Sequence, residues 1–98
     1  MDKDAIRVST AIQPDGRVTV AVFGYLDEKG GSELARKILE DLPGTGSRVE
    51  INLEAVILFS CSGARRLLTA LEELQSRNRD VALVGVRQTL QKILHFAA

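Results

Sequence analysis

The chain has 98 residues, of which 45% are hydrophobic and 27% are charged. A chain of this length can build only one hydrophobic core, so we predict a single domain spanning residues 1–98. The composition is that of a globular protein and excludes wholesale disorder. Thirteen basic residues balance thirteen acidic residues. The basic excess of a dedicated nucleic-acid-binding protein is therefore missing, and no nucleic-acid partner is expected.

The zero net charge also leaves little electrostatic protection against self-association, so a homodimer is among the expected states. One cysteine, Cys61, and one histidine, His95, can form neither an internal disulfide nor a zinc site, and we expect no metal and no cofactor. The longest apolar runs, residues 56–59 and 81–86, are too short to cross a bilayer, and no signal-peptide pattern opens the chain. We therefore expect a cytoplasmic protein without direct membrane insertion.

Period-two alternation predicts two strands at the start of the chain, residues 5–12 and residues 17–23. Between them, Gln13-Pro14-Asp15-Gly16 has the composition of a tight turn, because proline presets φ and glycine tolerates positive φ. The two strands should therefore form a β-hairpin. Residues 24–27, which follow the hairpin, are expected to leave the sheet.

Glycine and proline bound a first helix. Gly30-Gly31-Ser32 supplies two helix breakers and a candidate N-cap, and residues 43–46 contain the proline and glycines that stop the helix. Between these signals the apolar residues recur at helical spacing: Leu34, Ala35, Ile38, Leu39 and Leu42.

A third strand and a second helix follow. Residues 48–53 alternate and residues 56–59 are continuously apolar, which indicates a strand that moves from the sheet edge into the buried core. The period becomes helical at residues 60–63. The helix is expected to end near residues 77–78 and to face the sheet with Leu67, Leu71 and Leu74.

The last predicted elements are a wholly apolar strand, residues 81–86, which should be buried on both faces, and an amphipathic helix reaching residue 97. The order is therefore ββαβαβα. Two successive strand–helix–strand units imply right-handed crossovers and parallel pairing. We predict an α/β fold with a four-stranded mixed sheet, in which the hairpin supplies the outer strands and three helices pack on one face.

Three local patterns occur in an order that resembles one known family. Gly24-Tyr25-Leu26-Asp27 follows the second strand, Ser60-Cys61-Ser62-Gly63 opens a helix, and Val81-Ala82-Leu83-Val84-Gly85-Val86 leads into the last helix. Over residues 6–97 the chain resembles the STAS family, which includes bacterial anti-sigma factor antagonists and the cytoplasmic tails of sulfate transporters. The resemblance implies a protein-interaction module in signal transduction and transcription regulation.

The resemblance also implies a phosphorylation switch. The family motif usually reads Asp-Ser-Ser/Thr-Gly, and its second hydroxyl residue accepts a phosphate from a partner kinase, which switches partner binding off. By position the phosphoacceptor falls on Ser62, whereas Ser60 stands where the family has the Asp that helps the kinase engage. The implied partner-binding residues are Gly24, Leu26, Asp27, Ser60, Cys61, Ser62, Gly63, Arg65 and Arg66.

Electrostatics makes Ser62 a reasonable position for a phosphate. A helix N-terminus offers unpaired N–H groups and a partial positive charge. Arg65 and Arg66 lie three and four residues further along the same helix, within reach of such a group. The alternative interpretation is that Ser60 or Ser62 is only an N-cap.

No catalytic constellation emerges from the sequence. Cys61 has no base near it in the sequence, since His95 lies in the last helix, and a structural or partly buried thiol is expected. We predict that the protein is not an enzyme.

Two functions remain open. The first is an anti-sigma factor antagonist-type module that binds an anti-sigma factor or a related serine-kinase-like regulator. The second is a non-switching subunit of an ATP-driven lipid-transport complex, whose partner is a transporter ATPase or permease. The missing Asp at Ser60 suits the second function about as well as the first.

Overall fold

A computed structural model of the chain describes residues 6–40, 42 and 48–97. Within these residues the elements follow the predicted order: β1 Ile6–Ile12, β2 Val18–Leu26, α1 Glu28–Glu40, β3 Val49–Phe59, α2 Cys61–Ser76, β4 Val81–Val84 and α3 Gln88–Ala97. The predicted α/β fold is confirmed. The helix stop predicted at residues 43–46 lies outside the described residues.

The strands form one mixed sheet in the order β1-β2-β3-β4. β1 and β2 are antiparallel, and the turn between them contains Gly16 with a φ of 90°. β3 runs parallel to both β2 and β4. The prediction that the hairpin supplies the outer strands is therefore wrong for β2, because β3 pairs with the side of β2 that β1 leaves open. One edge of the sheet is β1 and the other is β4.

One face of the sheet carries the core and the helices. Alternate residues of the two central strands are fully buried, together with the last residue of β2: Val18, Val20, Val22, Leu26, Val49, Ile51 and Leu53. α2 contacts both α1 and α3 and adds the buried residues Leu67 and Leu74. Leu71, which was predicted to face the sheet beside them, is only partly buried but packs against the same core.

The boundary between β2 and α1 differs from the prediction. β2 does not end at Phe23 but continues to Leu26, so most of the segment predicted to leave the sheet belongs to it. α1 begins at Glu28, and the paired glycines Gly30 and Gly31 lie inside its first turn rather than ahead of it.

Asp27, rather than Ser32, supplies the cap of α1. Its Oδ1 accepts a hydrogen bond from the Gly30 N–H at 2.7 Å, which satisfies one of the helix's unpaired donors. Close packing explains why glycines occupy the first turn. A Cβ on Gly31 would lie 2.8 Å from the Gly63 carbonyl oxygen in α2, so only glycine permits this approach of the two helices.

β4 is shorter and more exposed than predicted. The strand covers Val81–Val84 instead of residues 81–86, and Gly85, with a φ of 67°, follows its end. Its first three residues are partly buried and Val84 is 37% exposed. The prediction that this strand is buried on both faces is wrong, because β4 is an edge strand and the helices pack on only one face of the sheet.

We call the opposite side of the sheet the outer face. Its exposed apolar side chains include Phe23, Tyr25, Leu58 and Val84. The prediction that residues 56–59 enter the core is wrong for two of them, since Ile57 is 69% and Leu58 is 56% exposed. The cause is two register shifts between β2 and β3, which insert unpaired residues and interrupt the alternation of buried and exposed positions.

Candidate protein-interaction site

The start of α2 is fixed at the point where β2 and β3 end. The Ser60 N–H donates to the Leu26 carbonyl oxygen at 3.1 Å, and the Ser60 Oγ accepts a hydrogen bond from the Gly63 N–H at 3.1 Å. A Cβ on Gly63 would overlap the same Leu26 carbonyl group, so glycine is required there. Ser60 is thus the N-cap of α2. It is one of the two serines, Ser60 and Ser62, that the sequence offered as alternatives for this cap.

Ser62 lies in the first turn of α2, and its side chain is exposed. Ser60 accepts the hydrogen bond from the Gly63 N–H, and the Ser62 Oγ makes no hydrogen bond with the described residues. A shallow cavity of about 300 Å³ lies at this position and is lined by Glu28, Cys61, Ser62, Arg65, Arg66 and Thr69. The hydroxyl is therefore accessible from solvent.

The electrostatics of the cavity favour an anion. Arg66 forms an ion pair with Glu28 of α1 at 3.2 Å, and the two side chains are 53% and 65% exposed. The Arg65 guanidinium forms no ion pair with the described residues. The N-terminus of α2 adds its own partial positive charge. An exposed ion pair such as Arg66–Glu28 is weak and can exchange partners, so both arginines could turn to a phosphate.

Cys61 is free and exposed, so the expectation of a partly buried thiol is wrong. It is the first residue of α2 and lies beside Ser62 in the cavity wall.

His95 is exposed on α3. In the described ranges no group of His, Cys, Asp and Glu residues could hold a metal ion. None of the helices in these ranges is long and apolar enough to cross a membrane.

The sequence-predicted site residues separate into an exposed set and a supporting set. The exposed set lies on the first turns of α2 and comprises Cys61, Ser62, Arg65 and Arg66. Leu26 and Gly63 are buried and support this surface from below. Gly24 lies within β2 with a φ of 105°, and Asp27 is partly buried and committed to the cap of α1.

Sequence reasoning missed two residues of the cavity, Glu28 and Thr69. Thr69 follows Ser62, Arg65 and Arg66 at helical spacing, so a polar stripe on α2 could have indicated it. Glu28 carried no such signal, because the glycines after it were interpreted as helix breakers that place it in a loop.

Comparison with known proteins establishes the family. The family model described as "Mlab, STAS domain" matches residues 9–98, so the chain belongs to the STAS domain family. A search of curated proteins finds no match. The fold is similar to that of an anti-sigma factor antagonist STAS domain from Rhodobacter sphaeroides, with a TM-score of 0.68, 20% identity, and coverage of 84% of this chain and 88% of that one.

A second similar structure is that of the anti-sigma factor antagonist SpoIIAA in its unphosphorylated form. The TM-score is again 0.68 at 20% identity, and the match covers 93% of this chain and 80% of that one. Both likenesses, at 20% identity, concern the fold alone.

Proposed function

We propose that this STAS domain is an interaction module of the anti-sigma factor antagonist type. It binds an anti-sigma factor or a serine-kinase-like regulator in the cytoplasm through the first turns of α2. One observation carries the proposal: Ser60 is committed to the helix cap, whereas Ser62 is exposed and lines the cavity beside two arginines. A partner seated on this surface would cover the Ser62 hydroxyl.

Phosphorylation of Ser62 is proposed as the switch. A phosphoryl group adds about 1.5 to 2 negative charges at neutral pH. In the free domain, Arg65, Arg66 and the helix N-terminus tolerate this charge. A partner surface shaped for a neutral serine would have to desolvate the phosphate without pairing it, which costs several kcal/mol. The phosphorylated domain therefore favours the unbound state.

Ser60 in place of the family Asp is compatible with this switch. Serine and aspartate are equally good N-caps, so the hydrogen bond to the Gly63 N–H is preserved by either residue. What Ser60 lacks is the carboxylate that flanks the acceptor. We therefore expect Ser60→Asp to leave the fold unchanged and to speed phosphorylation by a cognate kinase.

The test is incubation of the full chain with ATP and purified serine-kinase-like anti-sigma regulators from the same organism, followed by mass spectrometry of the digested protein. A single phosphate is expected on Ser62, absent in Ser62→Ala and retained in Ser32→Ala, a matched change of another exposed helical serine. Phosphate on a different residue, or none with any such regulator, would refute phosphorylation of Ser62.

A second candidate function is the static subunit of an ATP-driven lipid-transport complex, and the serine at position 60 favours it, because a subunit without a switch needs no carboxylate beside the acceptor. This function predicts co-purification with a transporter ATPase. It also predicts that the Ser62→Asp variant still binds that ATPase. The switch proposal predicts the opposite for the anti-sigma or kinase-like partner, whose binding Ser62→Asp should abolish.

A further inference from the structure

The outer face of the sheet has the composition of a contact surface. Its side chains are mostly small or apolar: Ser9, Ala11, Thr19, Ala21, Phe23, Tyr25, Ala55, Leu58, Ala82 and Val84. Four large members of this set are 37% to 56% exposed. No helix of the described residues covers this face, whereas the helices bury the core-facing valines, leucines and isoleucine of the two central strands on the other face.

Opposite charges lie on the two halves of the outer face. Arg7 lies on the edge strand β1, directly opposite Phe23, which in turn pairs with Ala55 of β3. Glu54 lies next to Ala55, and its side chain lines a shallow cavity with Phe23. Neither Arg7 nor Glu54 forms an ion pair with the described residues.

The other carboxylate of this face is already engaged. Glu50 accepts hydrogen bonds from Arg17 through both carboxylate oxygens at 3.1 Å and lies 3.5 Å from the Arg48 guanidinium. Among the described residues, Arg7 and the Glu54 carboxylate therefore form no ion pair, since the Arg87 guanidinium donates to the backbone carbonyl oxygen of Glu54. By the strand register, Arg7 and Glu54 lie within one residue of the same height on different strands.

These positions are self-complementary under a two-fold rotation. Consider two copies whose outer faces are in contact, related by a two-fold axis that runs parallel to the strands and lies between the sheets, over the boundary of β2 and β3. This rotation reverses the strand order of the second copy relative to the first and keeps each residue at the same height along the strands. Such an axis places β1 of one copy over β4 of the other and β2 over β3, so β1 lies one strand spacing, about 4.8 Å, to the side of β3. The long side chain of Arg7 in each copy then lies within reach of Glu54 in the other, so one symmetric contact pairs both sets of charges.

We propose that the outer face is the contact surface between two copies of this chain. Small residues at its centre, Ala21 and Ala55, allow two sheets to approach to the usual spacing of about 10 Å. Four strands about 4.8 Å apart, with roughly six residues each rising about 3.3 Å, give a flat area of roughly 400 Å² per copy.

Two such faces with projecting side chains bury on the order of 1,000 Å², which is near the lower limit for a specific interface. A reversible dimer with a micromolar dissociation constant is therefore expected. The surface is distinct from the Ser62 cavity, so the dimer does not depend on the function proposed above.

The test is sedimentation velocity of the full chain from about 1 to 200 μM, the range that brackets a micromolar dissociation constant. Wild type is expected to pass from monomer to dimer. Arg7→Glu and Glu54→Arg should each weaken the dimer at least about tenfold, because each substitution brings like charges together. The double variant Arg7→Glu/Glu54→Arg should restore wild-type association.

Charge reversals on the helical side are the matched controls. Lys92→Glu and Glu72→Arg change exposed residues of α3 and α2 and should leave the dissociation constant unchanged. Circular dichroism melting will verify that every variant is folded. A wild-type chain that stays monomeric throughout would overturn the proposal. So would a dimer that both single substitutions leave intact, or one that the double variant fails to restore.

Discussion

Two serines at the start of α2 differ in role because helix geometry gives them different neighbours. The Ser60 side chain reaches the Gly63 N–H, since an N-cap residue lies before the first turn and faces its free donors. Ser62 is already inside that turn, where its side chain projects into solvent. One serine therefore stabilises the helix, and the other is available for chemistry or recognition.

The stability of the domain should separate these two roles. We expect Ser60→Ala to lower the free energy of unfolding by about 1 kcal/mol through loss of the cap. Ser62→Ala should change it by less than about 0.5 kcal/mol, as is usual for surface residues. Urea unfolding of the two variants and the wild type measures both effects. Equal losses in the two variants would show that Ser62 also supports the helix.

At the level of the secondary-structure element, α2 buries one stripe of leucines against the sheet. Leu67 is fully buried, whereas Leu71 is partly buried. Leu67→Ala should therefore cost about 2–5 kcal/mol from lost burial and a cavity. Leu71→Ala should cost roughly half as much, because part of its apolar surface is already in water. Chemical denaturation checks this order, and a larger loss for Leu71→Ala would mean that α2 is rotated about its axis.

The contact between α2 and the end of β2 depends on a single glycine. Gly63→Ala would place a Cβ against the Leu26 carbonyl group, and backbone cannot yield as a flexible side chain can. We expect a loss of about 1–3 kcal/mol, although alanine has the higher helix propensity. The thermal midpoint should fall, whereas Ser62→Ala in the same turn should leave it unchanged. An unchanged midpoint in Gly63→Ala would contradict the close approach.

Close packing at glycines also explains why the start of α1 could not be predicted from the sequence. Gly30 and Gly31 look like helix breakers, because glycine costs up to about 1 kcal/mol in a helix interior. Their role becomes visible only when α2 is placed beside α1, since the Gly63 carbonyl group fills the space that a side chain would take. The position of Glu28 in the cavity could not be predicted for the same reason.

At the level of the whole molecule, the order of strands and helices was predictable because the hydrophobic period changes clearly at each boundary. The position of a strand within the sheet was not. The apolar residues 81–86 have the composition of a central strand, yet β4 lies at the edge. Local composition does not record how many neighbours a strand has. Ser62 is exposed at the start of α2, and its role as a phosphoacceptor stays a prediction.

Hydrogen exchange should reproduce the sheet order. β2 and β3 pair on both sides, so their amides should exchange most slowly, through global unfolding. The edge strands β1 and β4 should exchange faster. Exchange monitored by mass spectrometry or NMR at low protein concentration, where any dimer is dissociated, reports these rates. Slower exchange in β4 than in β3 would contradict the strand order.

The most direct test of the proposed switch is the affinity of the full chain for its anti-sigma or kinase-like partner, measured by calorimetry for wild type, Ser62→Ala and Ser62→Asp. The hydroxyl is exposed and unbonded among the described residues, so Ser62→Ala should bind within about threefold of wild type. Ser62→Asp, which mimics the phosphate charge, should bind at least about a hundredfold more weakly, because that charge is desolvated in the complex. Equal affinity for all three proteins would contradict a switch at Ser62.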